Sequence, residues 1–326
     1  MSKRLSSLTA LRSLVAAALC AMTTMANAET VYVSDEQANV IHVIAAAQWN
    51  EVKQIPVGQR PRGLELSTDG KQLFVAVSND NRIDVVDLAS GRVTGHLPSG
   101  PDPERFALSP DGRMLYVANE DDNKVSFVDI AAKRITHEVE VGAEPEGMAV
   151  SPDGRWVICT SESASLVHFI DARSGKLVES AMVGTRPREA RFTADGRELW
   201  VSSEVRGTIT VFAMPSRERR GLIDLDVADA PATVQAVGIA FDPDGRRAFV
   251  ALGRGNGVAE IDRRTNRLRR VLPAGQRDWS IALGAQGRLY AANGLSGDVS
   301  VIDRDSGQLL ATIATGGKPW GVVVKP

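Results

Sequence analysis

Charged and aromatic residues recur at one position of a repeating pattern in this sequence, and their chemistry suits ligand binding. Six of seven equivalent positions carry a charge or an indole ring, and the seventh carries valine. Arginine binds carboxylates and phosphates through paired hydrogen bonds, and tryptophan stacks on planar molecules. The seven positions are Arg62, Glu104, Glu146, Arg188, Val237, Trp279 and Trp320.

Further charges flank these positions, so both signs of charge gather in one part of the expected structure. Together they predict a concave site for a small anionic or planar ligand, or for a protein partner. The alternative is that Glu and Arg of neighbouring units pair with each other and keep the surface solvated. The predicted binding residues are Arg60, Arg62, Glu104, Arg105, Glu146, Arg186, Arg188, Arg277, Trp279, Lys318 and Trp320.

A second set of equivalent positions holds mostly small residues, as expected for a crowded centre. Glu65 and Arg191 break this rule, and we expect both to line a central channel. They either face each other through water or have separate local partners, because an unpaired charge there would be costly. The small residues of the set are Ala107, Ala149, Ala240, Ala282 and Val323.

The cysteine and histidine residues do not predict a catalytic or metal site. Cys159 takes a position where five other units have valine, so we interpret it as a core residue and not a reactive thiol. His96 and His137, on outer strands of adjacent units, are the only conceivable metal pair, and a third donor is missing. We expect the histidines, which include His42 and His168, at the surface, and we predict no metal site.

Short motifs give no enzyme signature either. The acidic stretch "NEDDN" (119–123) lacks the ligand register of a calcium loop, and "GRGNG" (253–257) has Val258 where a phosphate loop needs glycine. Haem-attachment, zinc-protease and serine-nucleophile motifs do not occur. We predict no enzymatic activity and no cofactor. One recurring aspartate indicates turn capping instead: Asp87, Asp129, Asp171, Asp262 and Asp303.

The elements that must position these residues are repeats of about 42 residues. Each repeat has a turn such as "SPDG" (109–112), a strand-like tetrad, an alternating run such as "KVSFVDI", a second turn and a fourth short run. Four short strands at about ten-residue spacing, without helical periodicity, indicate a β-propeller blade. The tetrads begin at Tyr32, Phe74, Tyr116, Ile158, Trp200, Phe249 and Tyr290.

The two ends of the repeat region complete each other. The stretch "PWGVVVKP" (319–326) supplies the first strand of a unit, and residues 29–58 supply the other three. We therefore predict an all-β, seven-bladed β-propeller that is closed by a composite blade, because shared termini remove two open sheet edges. The other predicted blades are 59–100, 101–142, 143–184, 185–234, 235–275 and 276–318.

The first 28 residues have the pattern of a secretory signal peptide. Lys3, Arg4 and Arg12 precede an apolar run, and small residues end at Ala28, the predicted cleavage site. The bulky Leu19 before Cys20 argues against lipid attachment. Loss of the three basic residues would change the net charge from −2 to −5. This charge disfavours binding to nucleic acid or anionic lipid, and we predict a periplasmic protein without a membrane span.

The tetrads, the "SPDG" turns and strands such as "DVSVIDR" (298–304) resemble the YVTN-type β-propeller repeat over residues 29–326. The combination of an export signal with seven repeats and no added domain resembles the exported β-propeller proteins associated with pyrroloquinoline quinone (PQQ)-dependent alcohol catabolism. This resemblance implies binding or scaffolding beside a quinoprotein dehydrogenase or a transport component. It implies no catalytic residues.

The antiparallel strand order predicts which face of the propeller functions. The linkers between blades and the loops after the tetrads share one face, where sequences vary, and variable loops on a fixed scaffold often carry binding. One linker, 224–238, is about seven residues longer and could form a lid or be a tolerated insertion. The main hypothesis is a non-enzymatic binding or accessory protein. The alternatives are a propeller that binds a redox cofactor, quinoprotein- or haem-related, and a cell-surface or nucleic-acid interaction module.

Overall fold

The computed structural model describes residues 29–225, 227 and 232–326, and these form seven four-stranded antiparallel sheets arranged in a ring. The predicted all-β, seven-bladed fold is confirmed. The predicted signal segment, 1–28, lies outside the described residues. Among the residues that are described, no helix is both long and apolar enough to cross a membrane.

Each blade is numbered here by its place in the ring. Blade I consists of β28 (Pro319–Lys325), β1 (Thr30–Asp35), β2 (Val40–Ala45) and β3 (Asn50–Pro56). Blade II consists of β4 (Pro61–Leu66), β5 (Gln72–Val77), β6 (Arg82–Asp87) and β7 (Arg92–Pro98). Blade III consists of β8 (Pro103–Leu108), β9 (Met114–Asn119), β10 (Lys124–Asp129) and β11 (Arg134–Glu140). Blade IV consists of β12 (Pro145–Val150), β13 (Trp156–Ser161), β14 (Leu166–Asp171) and β15 (Lys176–Met182).

The remaining blades have the same order. Blade V consists of β16 (Pro187–Phe192), β17 (Glu198–Ser203), β18 (Thr208–Ala213) and β19 (Glu218–Asp224). Blade VI consists of β20 (Ile239–Phe241), β21 (Arg247–Ala251), β22 (Gly257–Asp262) and β23 (Arg267–Pro273). Blade VII consists of β24 (Asp278–Leu283), β25 (Arg288–Asn293), β26 (Asp298–Asp303) and β27 (Leu309–Ala314). Two short 3-10 helices lie at Ser78–Asp80 and Ala285–Gly287.

Turn chemistry explains where the strands end. In the "SPDG" turn of blade III, Gly112 has a φ of 69°, and the Ser109 hydroxyl accepts a hydrogen bond from the Met114 N–H at 2.9 Å. The recurring aspartate caps the second turn of five blades. Its carboxylate accepts a backbone N–H in Asp87, Asp129, Asp171, Asp262 and Asp303, at 2.7 to 2.9 Å.

The hydrophobic core is divided among the spaces between neighbouring blades. Between blades I and II, for example, Tyr32 and Ile41 pack with Leu73 and Val75. Each second strand is buried on both faces because it lies between two blades, which explains why the first two residues of every tetrad are apolar or aromatic. Cys159 is completely buried in one of these layers, as predicted, and burial raises the pKa of its thiol far above the usual range.

The ring closes through blade I, as the sequence predicts. Strand β28 pairs antiparallel with β1, and Val322 lies opposite Val33. The Gly321 N–H donates to the Ser34 hydroxyl at 2.9 Å, and that hydroxyl donates to the Arg62 carbonyl at 2.7 Å. The composite blade is therefore joined both within itself and to blade II. All seven innermost strands run in one direction and start at the face that carries the blade linkers, which we call the mouth face.

Candidate functional site

The linkers hold the mouth residues in a fixed backbone conformation. Arg60, Asp102, Glu144, Arg186 and Arg277 all have φ between 50° and 60°, an uncommon conformation for residues other than glycine. Four of these residues donate their backbone N–H to an asparagine side chain in the preceding blade, at 2.9 to 3.2 Å. These asparagines are Asn39, Asn81, Asn123 and Asn256. Anchored linkers position the side chains of the mouth before any ligand binds.

One side of the mouth is an ion-pair network between blades I, II and III. Arg62 contacts Glu36 at 3.0 Å and Glu104 at 2.9 Å. Arg60 contacts Asp102 at 2.7 Å and Glu104 at 3.1 Å. Burial, together with the charge of Glu146, raises the pKa of Glu104 well above its ordinary value. The two arginines thus already have carboxylate partners in the protein itself.

Arg188 is the centre of the opposite side of the mouth. Its guanidinium lies 3.2 Å from Glu146 and 3.7 Å from Glu204, and it donates a hydrogen bond to Glu162. Arg277 contacts Glu204 at 2.7 Å. Burial lowers the pKa of Arg188 and the carboxylates raise it; the net shift is upward, so it remains charged. A buried arginine surrounded by three carboxylates holds blades IV and V together.

Arginine side chains cover both indole rings at the mouth. The guanidinium carbons of Arg105 and Arg62 lie 4.5 and 5.1 Å from the ring centroid of Trp320. Those of Arg277 and Arg188 lie 4.0 and 5.2 Å from the ring of Trp279. Trp320 is only 1% exposed, whereas Trp279 is half-buried. The rings form cation–π contacts and are not open stacking platforms.

The remaining predicted mouth residues lie at the rim. The guanidinium of Arg186 is half exposed and contacts Glu162 at 2.8 Å and Glu204 at 3.1 Å. Lys318 is exposed, and its backbone N–H donates to Asp35 at 2.9 Å. The structure therefore brings all eleven predicted residues to one face. It also shows that Glu and Arg of different blades pair extensively there.

Three carboxylates of this network were not predicted from the sequence, and a fourth, Glu120, was considered there only as part of the "NEDDN" stretch. Glu36, Glu120, Glu162 and Glu204 each directly follow a tetrad, and all except Glu120 take part in the ion pairs above. A signal was available, because the last three recur at intervals of 42 residues. The loops that carry these carboxylates lie beside the linkers on the mouth face. Their carboxylates can therefore form ion pairs with the arginines of the linkers.

Glu120 belongs to an acidic group at the edge of the mouth. It comes from the "NEDDN" stretch, and its carboxylate lies within 4.8 Å of those of Asp102 and Glu104. Burial raises the pKa of Glu120, and Glu104 shares a hydrogen bond with it. Since Arg60 already contacts two of the three carboxylates, we interpret the group as part of the ion-pair network.

Many buried polar atoms at the mouth lack a hydrogen-bond partner. Of seventeen such side-chain atoms among the described residues, eight belong to the mouth network. Seven of these eight atoms lie within 4.0 Å of an oppositely charged atom but without hydrogen-bond geometry, and the eighth is Trp320 Nε1. This concentration is unusual, because buried polar groups are normally satisfied. The eight belong to Arg62, Glu104, Arg105, Glu146, Glu162, Arg188, Glu204 and Trp320.

Below the mouth, a central channel with a cavity of about 340 Å³ contains both residues that break the small-residue rule. Glu65 accepts the Leu108 N–H at 3.2 Å, and burial raises its pKa to about 7. Arg191 contacts Glu189 at 3.1 Å and donates to the Ile239 carbonyl at 3.2 Å. Glu65 and Arg191 therefore have separate local partners, which is the second of the two predicted alternatives.

The histidines have structural roles, and the expectation that they lie at the surface is wrong for two of them. His42 and His168 are 0% and 2% exposed. His168 accepts the Gly142 N–H and bonds to Ser161 and Ser180, and burial lowers its pKa to about 4. His168 thereby anchors the linker that precedes its own blade, and His42 bonds to Asp35 at 3.1 Å and to Glu51 at 2.6 Å, contacts that their repeat spacing alone did not reveal.

The other two histidines do not share ligands. His96 bonds to the Asp84 carboxylate at 2.8 Å, and His137 bonds to the Gly175 carbonyl at 2.9 Å.

The long linker 224–238 lies partly outside the described residues. Its described ends, Leu225 and Ala236, are buried between blades V and VI, so these parts of the insertion belong to the core.

Comparison with known proteins supports the fold and adds one family signal. A model of the cytochrome D1 heme domain matches residues 104–191, which is about a quarter of the chain. No protein with a curated description matches the sequence. The chain resembles hydrazine synthase of Kuenenia stuttgartiensis, with 20% identity, a TM-score of 0.76, and coverage of 84% of this chain and 92% of the other.

Two further solved structures are similar in fold. Dihydro-heme d1 dehydrogenase NirN has 15% identity and a TM-score of 0.68, with coverage of 90% of this chain and 74% of the other. A Bacteroides fragilis protein with a provisional 6-phosphogluconolactonase assignment has 16% identity and a TM-score of 0.77, with coverage of 93% and 99%. At these identities the likeness establishes a shared propeller fold.

Proposed function

We propose that this chain is a non-enzymatic binding or accessory protein whose mouth face engages a small ligand or a protein partner. The observation that carries the proposal is the gathering of charged and indole side chains at the mouth, where the buried Arg105 Nε and Trp320 Nε1 have no hydrogen-bond partner. A side chain of the mouth can bind a ligand even when it also contacts other residues of the protein. A ligand or partner that offers hydrogen-bond acceptors would satisfy these two donors without breaking the blade-to-blade pairs.

The same residues are poorly suited to catalysis. Most strongly basic or acidic groups of the mouth that we have described are paired, and no histidine among the described residues lines the channel cavity. The Cys159 thiol is buried and kept protonated, which removes it as a nucleophile. The serine–histidine contact of Ser161 and His168 is buried, and the Ser161 hydroxyl donates to the Gly142 carbonyl.

We further propose that the protein is exported to the periplasm and acts beside PQQ-dependent alcohol oxidation. This part of the proposal is supported by the signal-peptide pattern of residues 1–28 and by the resemblance to YVTN-type propellers of that context. The predicted partners are therefore a periplasmic quinoprotein or a component of its transport system.

The second candidate is a propeller that holds a tetrapyrrole, because the cytochrome D1 heme domain model matches residues 104–191. An axially bound iron would need a histidine, cysteine, methionine or tyrosine ligand at the mouth. Within 29–225, 227 and 232–326, Met148 is the one such residue that lines the channel cavity, and it is 7% exposed. The donor set does not fit an axially ligated haem, and we derive no chemistry from one.

Affinity capture from the native periplasm tests the proposal with matched variants. The mouth-face variant combines Arg60→Gln, Arg186→Gln and Lys318→Gln, all partly or fully exposed. The control combines Lys71→Gln, Arg113→Gln and Arg197→Gln, which remove the same charge from exposed positions of the opposite face. We expect a component retained by the wild type and the control and lost by the mouth-face variant.

Equal retention by all three proteins would contradict a binding role for the mouth face. An ultraviolet–visible spectrum of the same native preparation separates the second candidate. A Soret band that persists through purification would favour a tetrapyrrole propeller, and its absence alongside mouth-dependent capture would favour the accessory protein.

A further inference from the structure

The channel below the mouth is unevenly filled, and this creates room for a ligand. The residue that follows the first mouth position of each innermost strand is glycine in four blades and Arg105, Glu189 or Ser280 in the other three. Gly63 and Gly321 pack so closely that an added Cβ would lie 2.8 to 2.9 Å from a carbonyl oxygen of the next blade. Arg105, Glu189 and Ser280 line the cavity.

Arg105 is the mouth arginine whose donors are least used. Its guanidinium lies 3.8 Å from Glu146 and 3.6 Å from Glu189, both beyond hydrogen-bond distance, and its buried Nε has no partner. Each of these carboxylates makes a closer contact elsewhere, Glu146 with Arg188 at 3.2 Å and Glu189 with Arg191 at 3.1 Å. Arg105 therefore keeps its planar set of N–H donors available.

Trp320 supplies a second free donor at the same place. Its indole Nε1 is buried without a hydrogen-bond partner, although a buried indole N–H normally finds one. The side chain is 1% exposed and lines the cavity. The guanidinium carbon of Arg105 lies 4.5 Å from the Trp320 ring centroid, so the two side chains lie next to each other at the cavity wall. Two neighbouring donors without a hydrogen-bond partner, one of them a guanidinium, favour an anionic acceptor with more than one oxygen.

Apolar side chains form the cavity wall beside these donors. Ala107, Met148, Ala149 and Val322 line it, and its volume of about 340 Å³ falls within the range of about 300–1,000 Å³ typical of small-molecule pockets. A polar end and an apolar wall fit an amphipathic molecule.

We propose that the channel binds a small organic carboxylic acid, with its carboxylate on the Arg105 guanidinium and the Trp320 N–H and its hydrocarbon part along the apolar wall. This inference rests on the proposed binding role of the mouth face and names the ligand class for it. The acceptor must be anionic because a neutral hydroxyl would leave most Arg105 donors unused.

The other charges that line the channel set the pH dependence of this site. They are Glu65, Glu189 and Arg191, and Glu189 is neutralised by its contact with Arg191. When Glu65 is protonated, the channel carries a net positive charge through Arg105. Because the Glu65 pKa is about 7, binding of a carboxylate strengthens as the pH falls through neutrality.

Calorimetric titration with hexanoate, hexan-1-ol and hexylammonium at pH 6 tests the proposal on the full chain as purified. We expect hexanoate to bind at least about tenfold more tightly than the two matched probes. Arg105→Gln should weaken hexanoate by about tenfold or more, and Trp320→Phe by a smaller factor, since it removes the N–H but keeps a ring. Arg113→Gln, on the opposite face, should leave the affinity unchanged.

Circular dichroism confirms that each variant is folded, and Arg105→Lys, which keeps the charge, should recover part of the affinity. Raising the pH to 8 should weaken hexanoate binding severalfold in the wild type but not in Glu65→Gln. Absent hexanoate binding, equal binding of the alcohol, or an unchanged affinity in Arg105→Gln would each overturn the proposal.

The rim variant Arg60→Gln, Arg186→Gln, Lys318→Gln separates this inference from the proposed function. It should keep hexanoate binding while it loses the captured component. If the rim variant loses the component but no protein binds hexanoate, only the channel inference fails. If hexanoate binds while capture is independent of the rim, the accessory role fails and the channel site stands.

Discussion

Replacing Glu65 with glutamine should stabilise the protein at alkaline pH and leave it unchanged at acidic pH. Burial raises the Glu65 pKa from 4.5 to about 7, against the opposing effects of the Leu108 N–H and the charge of Arg191. Between these values the folded state holds a proton that the unfolded chain releases. The free energy of unfolding of the wild type therefore falls as the pH rises from 4.5 to 7, and it stays constant above 7.

The magnitude follows from the size of the shift. Each pKa unit corresponds to about 1.4 kcal/mol, so the full shift would be about 3.5 kcal/mol. Glu65 is partly exposed to the channel, which reduces the effect, and we expect about 2 to 3 kcal/mol. Glutamine does not ionise and its carbonyl can still accept the Leu108 N–H. The variant should match the wild type at pH 4 and exceed it by this amount at pH 8.

Urea unfolding followed by tryptophan fluorescence at pH 4, 6 and 8 measures the difference. Asp69→Asn is the matched control in the same blade, because hydrogen bonds from Ser67 and Lys71 lower the pKa of the exposed Asp69. Its effect should have the opposite sign: the variant is less stable at pH 8, and the difference disappears as the pH falls through the Asp69 pKa. A Glu65→Gln difference that stays constant from pH 4 to pH 8 would refute the reasoning.

Three further predictions concern buried groups. Arg188→Gln should cost about 3–5 kcal/mol of unfolding free energy, because it leaves buried carboxylates unpaired; a loss below about 1 kcal/mol in urea unfolding would contradict the network. Trp320→Ala should cost about 3–5 kcal/mol, and Trp279→Ala clearly less, since only Trp320 is fully buried; thermal unfolding of the two variants compares them. Cys159 should resist a thiol reagent at pH 8 in the native protein and react in urea, as measured by mass spectrometry of its peptide; rapid native labelling would show that the thiol is accessible.

The fold could be predicted from the sequence because propeller blades repeat their turn chemistry. The "SPDG" turns, the capping aspartates and the tetrads recur in phase, and each has the same physical role in several blades. Closure through residues 319–326 followed from the same phase, since an incomplete unit must find its missing strands. The structure confirms this pairing between β28 and β1.

The position of the candidate site on the mouth face could be predicted from the sequence, but the ion pairs between its residues could not. Alignment of the linkers identified Arg62, Arg188 and Trp320 as mouth residues. It did not show that Glu162 and Glu204 come from neighbouring loops to pair with the arginines, because the distance between two loops is set by blade packing. For the same reason, the sequence predicts open indole rings at the mouth, whereas arginines cover them in the structure.

The contrast between repeated and unrepeated positions explains how a pseudosymmetric ring can hold an asymmetric site. Capping aspartates repeat because every blade needs the same turn. At the position that holds Arg105, the blades differ, and glycine in four of them lets neighbouring strands approach closely. The four glycines place no side chain in the channel. Arg105 and Glu189 therefore extend into space that seven larger side chains would otherwise fill. A charge that is unique around the ring must find its partner across the channel or in a ligand, and Arg105 has no hydrogen-bonded partner of its own among the described residues.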